Sequence, residues 1–328
     1  MSEPGKVADL AGSEGSNMID VTGLFKQFGV QKNIRGFFNR HTYEIDPRAP
    51  ENNWLYPAFR GFEVLQRNLA QQGKNVHTFA TIGTGAGWDA VGAYHIFKPE
   101  RLVATDYHPK VLPIAHRNIR GNVPTNIEVL TLTGDLCAPL REEGVLADVI
   151  YANLPLLPDD PEKVMQNMRS STFVAWERIH AAPEDYRRHR LAMKYHFLLD
   201  AASSLTQGGS VVINLGGRVP VELVQQMFTD CGYTYEELFT MLKIQSQPEE
   251  VLPGFAQAER ETGVTFDYYR LSAAKASLQE HTPPLSAADL KAYLLPHHVS
   301  ATQAQALHEQ GEEIGHIVQV IRGQRVHD

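Results

Sequence analysis

The sequence predicts an α/β fold in which helices cover both faces of a mostly parallel sheet. Short runs that are apolar throughout alternate with longer segments of helical periodicity, as expected of strands buried on both faces. A glycine-rich loop follows the first apolar run, and an aspartate follows each of the next two. In parallel sheets such residues gather at the carboxyl ends of the strands, where ligands bind.

The predicted elements follow in order from these patterns. Five strands are predicted at 76–82, 102–105, 127–130, 149–152 and 211–215, and five helices at 60–71, 88–97, 109–119, 188–205 and 221–231. Two later strands, near 238–244 and 265–271, complete a seven-stranded sheet, with a short helix at 249–262 between them. Ser286 and Ser300 are the predicted N-caps of two further helices, because serine accepts a hydrogen bond from the first helical turn.

The chain divides into four predicted segments. Residues 1–17 are a leader that we expect to be disordered, because they offer little apolar surface to offset the cost of ordering. Residues 18–73 form an N-terminal cap segment, 74–275 the sheet domain and 276–328 a C-terminal helical extension. The extension could cover a site, or it could pair the subunits of a homo-oligomer.

Composition and charge exclude several classes of protein. Thirty basic residues against 38 acidic ones give a net charge of −8, which disfavours nucleic acid and anionic membranes as partners. Two cysteines are too few for a disulfide framework or a Cys-rich zinc site, and no histidine spacing fits a metal. Because signal-peptide and membrane-spanning patterns are missing, we expect a cytoplasmic protein that uses no metal.

The glycine loop reads Thr81-Ile82-Gly83-Thr84-Gly85-Ala86-Gly87 and runs from a strand directly into a helix. Glycines let the backbone turn sharply and approach a ligand, and the helix start offers free N–H groups. Asp106 ends the second strand, where a carboxylate can accept hydrogen bonds from both hydroxyls of a ribose. Trp88 replaces the third glycine of a dinucleotide fingerprint, so the spacing is G-x-G-x-G. These features predict a nucleoside site.

This loop resembles that of class I S-adenosylmethionine-dependent methyltransferases, which implies a Rossmann-like fold with S-adenosylmethionine as methyl donor and S-adenosylhomocysteine as product. The resemblance implies that the methionine part of the cofactor is lined by Gly83, Thr84, Gly85 and Gly87. It also implies that Asp135, followed by Leu136, meets the adenine amino group. Thr81 stands where the family usually has an acidic residue; its hydroxyl can bond the cofactor's ammonium but supplies no charge.

A second resemblance concerns the end of the fourth strand. The segment Asn153-Leu154-Pro155-Leu156 resembles the Asn-Pro-Pro-Tyr loop of amino-methylating enzymes. In that loop the Asn side chain and backbone carbonyls hold a planar NH2 group, and the aromatic ring stacks on it. The resemblance implies that Asn153 contacts cofactor and acceptor. Leu156, which stands in place of the ring, argues against a nucleobase or a glutamine side chain as acceptor.

A third resemblance, over roughly residues 52–271, is to methionine S-methyltransferases. It is carried by Gly216-Gly217-Arg218, Glu259-Arg260 and Phe266-Asp267-Tyr268-Tyr269. It implies methylation of the thioether sulfur of L-methionine to S-methylmethionine, the first step of dimethylsulfoniopropionate synthesis. A thioether sulfur carries no proton, so alignment and desolvation can suffice without a general base.

Such a substrate needs a guanidinium for its carboxylate and aromatic faces for the developing sulfonium. Arg218 is the leading clamp because it leaves a strand end beside two glycines, and Arg187 and Arg188 are the other candidates. The aromatic candidates are Tyr186, Trp176 and Trp54. We expect Asn153, Tyr186 and Arg218 to be the catalytic residues.

Two alternatives stay open. The chain could be an N-methyltransferase acting on a small amine or a protein side-chain amide, against which Leu156 argues. It could also be a cofactor-binding protein without turnover, an alternative kept open by Thr81 at the usually acidic position.

Overall fold

The computed structural model describes residues 16–43, 45–156, 175–278 and 285–326, and most of the predicted leader lies outside these ranges. The strands are β1 (Asn17–Asp20), β2 (Arg35–Phe38), β3 (Thr78–Ile82), β4 (Arg101–Asp106), β5 (Glu128–Thr133), β6 (Ala147–Ala152), β7 (Leu205–Gly216), β8 (Glu236–Ile244), β9 (Tyr268–Arg270), β10 (His298–Val299) and β11 (Ile314–Gly323). The helices are α1 (Thr22–Lys26), α2 (Leu55–Gln71), α3 (Trp88–Phe97), α4 (Leu112–Asn122), α5 (Ala138–Glu142), α6 (Trp176–Ala181), α7 (Glu184–Arg188), α8 (Ala192–Ala201), α9 (Val221–Asp230), α10 (Pro248–Thr262), α11 (Leu271–Leu278), α12 (Ala287–Leu294) and α13 (Ala301–Glu309).

The main sheet has a parallel part and an antiparallel part. Strands β5, β4, β3, β6 and β7 are parallel neighbours in that order. Strand β11 then runs antiparallel between β7 and β8, while β9 and β10 extend the sheet from its first residues. The strand order reverses on either side of β3, which creates a crevice at the carboxyl ends of β3 and β6. Strands β1 and β2 form a separate antiparallel pair.

Side chains of the parallel strands alternate between two hydrophobic cores. Phe79, Tyr151 and Val212 pack with α2, α3 and α4 on one face. Ala80 and Ile150 pack with α5, α8, α9, α10 and α13 on the other. Because both faces are covered, these strands are apolar throughout, which is why the sequence pattern located them.

Of the strand predicted at 265–271 only β9 is extended, and the long antiparallel strand is β11. The sheet has nine strands among the described residues, where seven were predicted. The prediction of helix beyond residue 275 is correspondingly wrong for 314–323. Polar residues recur at every third position of β11, at His316, Gln319 and Arg322, and this imitates the polar stripe of a helix. All three are buried because β11 lies inside the sheet.

Two helix starts are confirmed. The N–H of Asp289 donates to the hydroxyl of Ser286 at 3.1 Å, and Ser300 and Gln303 form a reciprocal capping box. The helix predicted at 188–205 is shorter and is interrupted before α8, where Arg190 has a φ of 61°. No helix within the described ranges is long and apolar enough to cross a membrane.

Candidate functional site

The glycine loop lies at the carboxyl end of β3, in the centre of the sheet. Gly83, Gly85 and Gly87 have φ angles of 67°, 53° and 81°, in the left-handed region that glycine adopts without strain. A Cβ atom on Gly87 would lie 3.0 Å from the Cα atom and the carbonyl oxygen of Ala115 in α4. Glycine is therefore needed at this position both for its backbone angle and for the close approach of α4.

Asp106 is joined to this loop. Its carboxylate accepts the N–H of Gly85 at 2.9 Å on one oxygen and the N–H of His108 at 2.8 Å on the other. Burial raises the pKa of Asp106 to about 6, although both N–H donors act to lower it. The ring of His108 in turn contacts His41 of the N-terminal segment, with 3.1 Å between Nε2 and Nδ1. Each carboxylate oxygen retains a lone pair for a further donor, as the predicted ribose contact requires.

Asn118 in α4, which the sequence analysis missed, holds the loop from behind. Its Nδ2 donates to the carbonyls of Ala86 at 2.9 Å and Phe37 at 2.8 Å, and its Oδ1 accepts the N–H of Phe37 at 2.7 Å. The side chain therefore ties β2 of the N-terminal segment to the glycine loop. The available signal was a polar residue beside Ile119 on the apolar face of a predicted helix.

Two hydroxyls of the loop region have no partner among the described residues. The Oγ1 atoms of Thr81 and Thr84 are both buried without a hydrogen bond. Thr81 lies in β3 between Ala104 of β4 and Tyr151 of β6. A buried polar group left unpaired costs about 1–3 kcal/mol, so the two hydroxyls point to a ligand with polar groups of its own. Thr81 offers this ligand a hydroxyl but no charge.

Asp135 follows β5 and is bound by an arginine. Its Oδ2 accepts from Nη1 of Arg178 in α6 at 2.7 Å, and the same guanidinium forms a bidentate pair with Asp200 at 2.8 and 2.9 Å. Leu136 is buried with a φ of 46°, and its carbonyl accepts the hydroxyl of Thr105 at 3.4 Å. The adenine contact of Asp135 and Leu136 stays a prediction, and Arg178 is a neighbour that the sequence did not reveal.

The Asn153 loop leaves the carboxyl end of β6. Asn153 is half-buried, and its side chain makes no hydrogen bond in the described part of the chain. The carbonyls of Leu154 and Pro155 accept from Nζ of Lys194 in α8 at 2.6 and 3.2 Å. Burial, and after it the charge of Arg218, lowers the pKa of Lys194 to about 7. Lys194 was missed by the sequence analysis; its signal was a lysine within an apolar helical stretch.

Arg218 leaves β7 at the same edge of the sheet and is buried. Its Nη2 donates to Oε1 of Gln245, and its Cζ lies 5.2 Å from the ring centre of Phe255 and 5.4 Å from that of Tyr268. The guanidinium packs directly against Gly216, where a Cβ atom would overlap Nη1. These contacts are compatible with the predicted orientation of Arg218 toward the site, which stays a prediction.

The other predicted substrate contacts are engaged elsewhere. The hydroxyl of Tyr186 donates to Asp230 of α9, and Nη2 of Arg188 donates to the carbonyl of Thr262 in α10. Arg187 is half-buried in α7, and Trp176 packs in a small cluster with Ile179 and Ala182. Trp54 instead borders the start of α3, where its indole forms a hydrogen bond with Asp89. Asp89 is buried, and this burial raises its pKa to about 7. The roles of these residues in binding a substrate stay predictions.

The strand order and the position of the glycine loop define the fold as that of class I S-adenosylmethionine-dependent methyltransferases, which confirms the predicted α/β fold.

In the part of the chain that the structure describes, no group of three His, Cys, Asp or Glu side chains could hold a metal ion.

The chain is similar to a release factor glutamine methyltransferase of Moorella thermoacetica. The two sequences are 28% identical over 194 residues, and these residues make up 56% of this chain and 57% of that protein. The match thus spans little more than half the length of the relative. No protein family model matches the sequence.

Solved structures with detectable likeness include a ribosomal protein methylase from Lactobacillus delbrueckii, at 16% identity and a TM-score of 0.37 over 57% of this chain and 71% of that one. A precorrin-6y methyltransferase from Geobacter metallireducens has 11% identity and a TM-score of 0.37 over 81% of this chain and 88% of that one. The fold assignment rests on the strand order described above.

Proposed function

We propose that this protein is an S-adenosylmethionine-dependent methyltransferase. The observation that carries the proposal is the hydrogen bond between Gly85 of the glycine loop and the buried carboxylate of Asp106, at the ends of two adjacent central strands. A carboxylate so held is suited to the hydroxyls of a ribose. The identity with a methyltransferase over 194 residues supports the same activity.

The residues present fit this cofactor. Gly85 has nothing within 4 Å of its Cβ position, which leaves open backbone for the methionine part of the cofactor. The unpaired hydroxyls of Thr81 and Thr84 are matched by a ligand that carries an ammonium and a carboxylate. When bound, S-adenosylmethionine supplies a methyl group activated by a sulfonium. The chain itself contributes alignment of the acceptor with that group and exclusion of water.

We propose a nitrogen acceptor, either a small amine or a side-chain amide. The relative acts on glutamine by its name, and this supports the nitrogen acceptor better than a sulfur one. Asn153 follows β6 at the crevice beside β3, with a side chain unpaired in the described residues. Its amide offers an oxygen that can accept an N–H and so orient a planar NH2 group.

Methionine sulfur is a second candidate, favoured by the surroundings of Asn153. The Leu154 and Pro155 carbonyls, which would hold an NH2 group, already accept from Lys194, and Leu156 provides no aromatic ring. Arg218 would hold the carboxylate of methionine, and S-methylmethionine on the route to dimethylsulfoniopropionate would be the product.

Transfer of a trideuterated methyl group distinguishes these candidates. The protein is incubated with S-adenosylmethionine labelled in its methyl group, and with L-methionine, small amines or glutamine-containing peptides, and the products are analysed by mass spectrometry. Label on nitrogen supports the first candidate, and label on methionine sulfur supports the second. Binding of S-adenosylhomocysteine without transfer to any acceptor would show a cofactor-binding protein without turnover.

A further inference from the structure

Four basic side chains are buried together at the carboxyl edge of the sheet. Lys194 comes from α8, Arg218 follows β7, Lys243 lies in β8 and His316 in β11, and none is more than 7% exposed. We call these four residues the cationic cluster.

Arg218 is the common neighbour in the cationic cluster. Lys243 and His316 are directly opposite each other in the register of β8 and β11. The ring of His316 and the guanidinium of Arg218 both flank Gly216. The positive charge of Arg218 contributes, after burial, to lowering the pKa of Lys194 and of Lys243 to about 7. The four side chains therefore share one electrostatic environment.

The hydrogen-bond partners of the cationic cluster are all neutral. Lys194 donates to two backbone carbonyls, and Lys243 donates to the carbonyl of Ile244 and the hydroxyl of Ser246, both at 3.0 Å. Nε of Arg218 and Nδ1 of His316 are buried with no hydrogen-bond partner among the described residues. Within the described residues, none of these side chains forms an ion pair with a carboxylate.

Two other cations, the half-buried Lys291 and the buried Arg322, are paired with carboxylates. Nζ of Lys291 lies 2.6 Å from Asp267, and Nη1 of Arg322 lies 2.9 Å from Glu236. Removing an ion from water costs several kcal/mol, which a partner of opposite charge must offset. The cluster has no such partner, and burial together with mutual repulsion lowers the pKa values of Lys194, Lys243 and His316. Groups perturbed in this way are typical of functional sites, and a bound anion would stabilise their protonated forms.

The position of the cluster indicates what would balance it. Lys194 contacts the carbonyls of Leu154 and Pro155, which directly follow Asn153. The cluster therefore borders the acceptor side of the site and not the ribose side at Asp106. We propose that the cationic cluster binds an anionic group of the methyl acceptor, a carboxylate or a phosphate. The assignment of this anion to the acceptor rests on the proposed function, whereas anion binding itself does not.

Calorimetric titration of the full chain tests the proposal, with and without S-adenosylhomocysteine. The probes are L-methionine, L-glutamine, the carboxamides of both, in which a neutral amide replaces the carboxylate, and inorganic phosphate. We expect an amino acid or phosphate to bind and the carboxamides not to bind. Preference for the amino acids identifies a carboxylate, and preference for phosphate identifies a phosphate ester. Titration without S-adenosylhomocysteine keeps this result independent of the cofactor site.

Lys243→Met and Lys275→Met are the matched variants, since Lys275 is exposed on α11. Losing a charged hydrogen bond should weaken binding of the anion about 10- to 100-fold in Lys243→Met. The same change should raise the melting temperature, because it removes an unpaired buried charge; a lysine with a purely structural role would lower it. Lys275→Met should alter neither. Equal binding of acids and carboxamides, no binding of any probe, or unchanged binding in Lys243→Met would overturn the proposal.

Discussion

Asp106→Asn probes the carboxylate on which the cofactor assignment depends. Each oxygen of Asp106 accepts one backbone N–H, from Gly85 or from His108. An asparagine can accept only one of the two, and its NH2 group would face the other N–H. One buried donor would therefore lose its partner, at a cost of about 1–3 kcal/mol in stability.

The effect on cofactor affinity should be larger than this structural cost. Hydrogen bonds to a charged acceptor contribute about 1.5–3 kcal/mol each, and the substitution weakens both of those expected from the ribose. We therefore expect the Kd for S-adenosylhomocysteine to rise about 100-fold. Isothermal titration calorimetry on the purified variant measures this directly.

The pH dependence supplies a second measure. Burial raises the pKa of Asp106 to about 6, so the carboxylate becomes protonated in the empty protein as the pH falls below that value. The affinity of the unsubstituted protein for S-adenosylhomocysteine should then decrease below about pH 6. The Asp106→Asn variant has no such group and should lack this decrease.

Asp148→Asn is the matched control. Asp148 in β6 also accepts two backbone N–H groups, from His77 at 2.7 Å and Thr78 at 2.9 Å, but at the opposite end of β3. Both N–H groups bind the same oxygen, Oδ2, which an asparagine oxygen can replace, so we expect a smaller loss of stability with unchanged cofactor affinity. The reasoning is refuted if Asp106→Asn binds S-adenosylhomocysteine as tightly as the unsubstituted protein, or if Asp148→Asn weakens binding equally.

Three further predictions concern stability. Gly87→Ala should lose about 1–3 kcal/mol in urea unfolding, because its φ is 81° and Ala115 leaves no room for a Cβ; an unchanged midpoint would contradict this. Ser300→Ala should cost about 1 kcal/mol through loss of the capping box, and a neutral result would show that the cap is dispensable. The free energy of unfolding should rise between pH 7 and pH 10. Lys194 and Lys243 have a pKa of about 7 in the folded protein and of 10.5 in the unfolded chain, so the unfolded chain binds more protons over this range. A flat pH profile in urea melts would argue against this.

The central strands and the glycine loop could be predicted because their signals are local. A strand buried on both faces is apolar throughout, and serine before a helix accepts a hydrogen bond within four residues. Strand β11 could not be located, because the partners of its polar residues lie in distant parts of the chain. Gln319 donates to Tyr235, just before β8, and Arg322 donates to Ser210 of β7 and Glu236 of β8. Only the assembled sheet makes those positions suitable for polar side chains.

The acceptor side was predictable only in part. Arg218 drew notice because it follows two glycines at a strand end, whereas Lys194 and Lys243 are distant from it in sequence and meet it only through the packing of α8 and β8. The same holds for Arg178, which binds Asp135 from 43 residues away. A sequence pattern records which residues are present, but contacts of this range depend on the tertiary arrangement.

The most direct test of the cofactor assignment is a crystal structure of the protein with S-adenosylhomocysteine. We predict the ribose hydroxyls within hydrogen-bond distance of the Asp106 carboxylate, the methionine part along Gly83 to Gly87, and the sulfur facing Asn153. A nucleoside bound elsewhere, or a protein that takes up no S-adenosylhomocysteine at saturating concentration, would contradict the assignment.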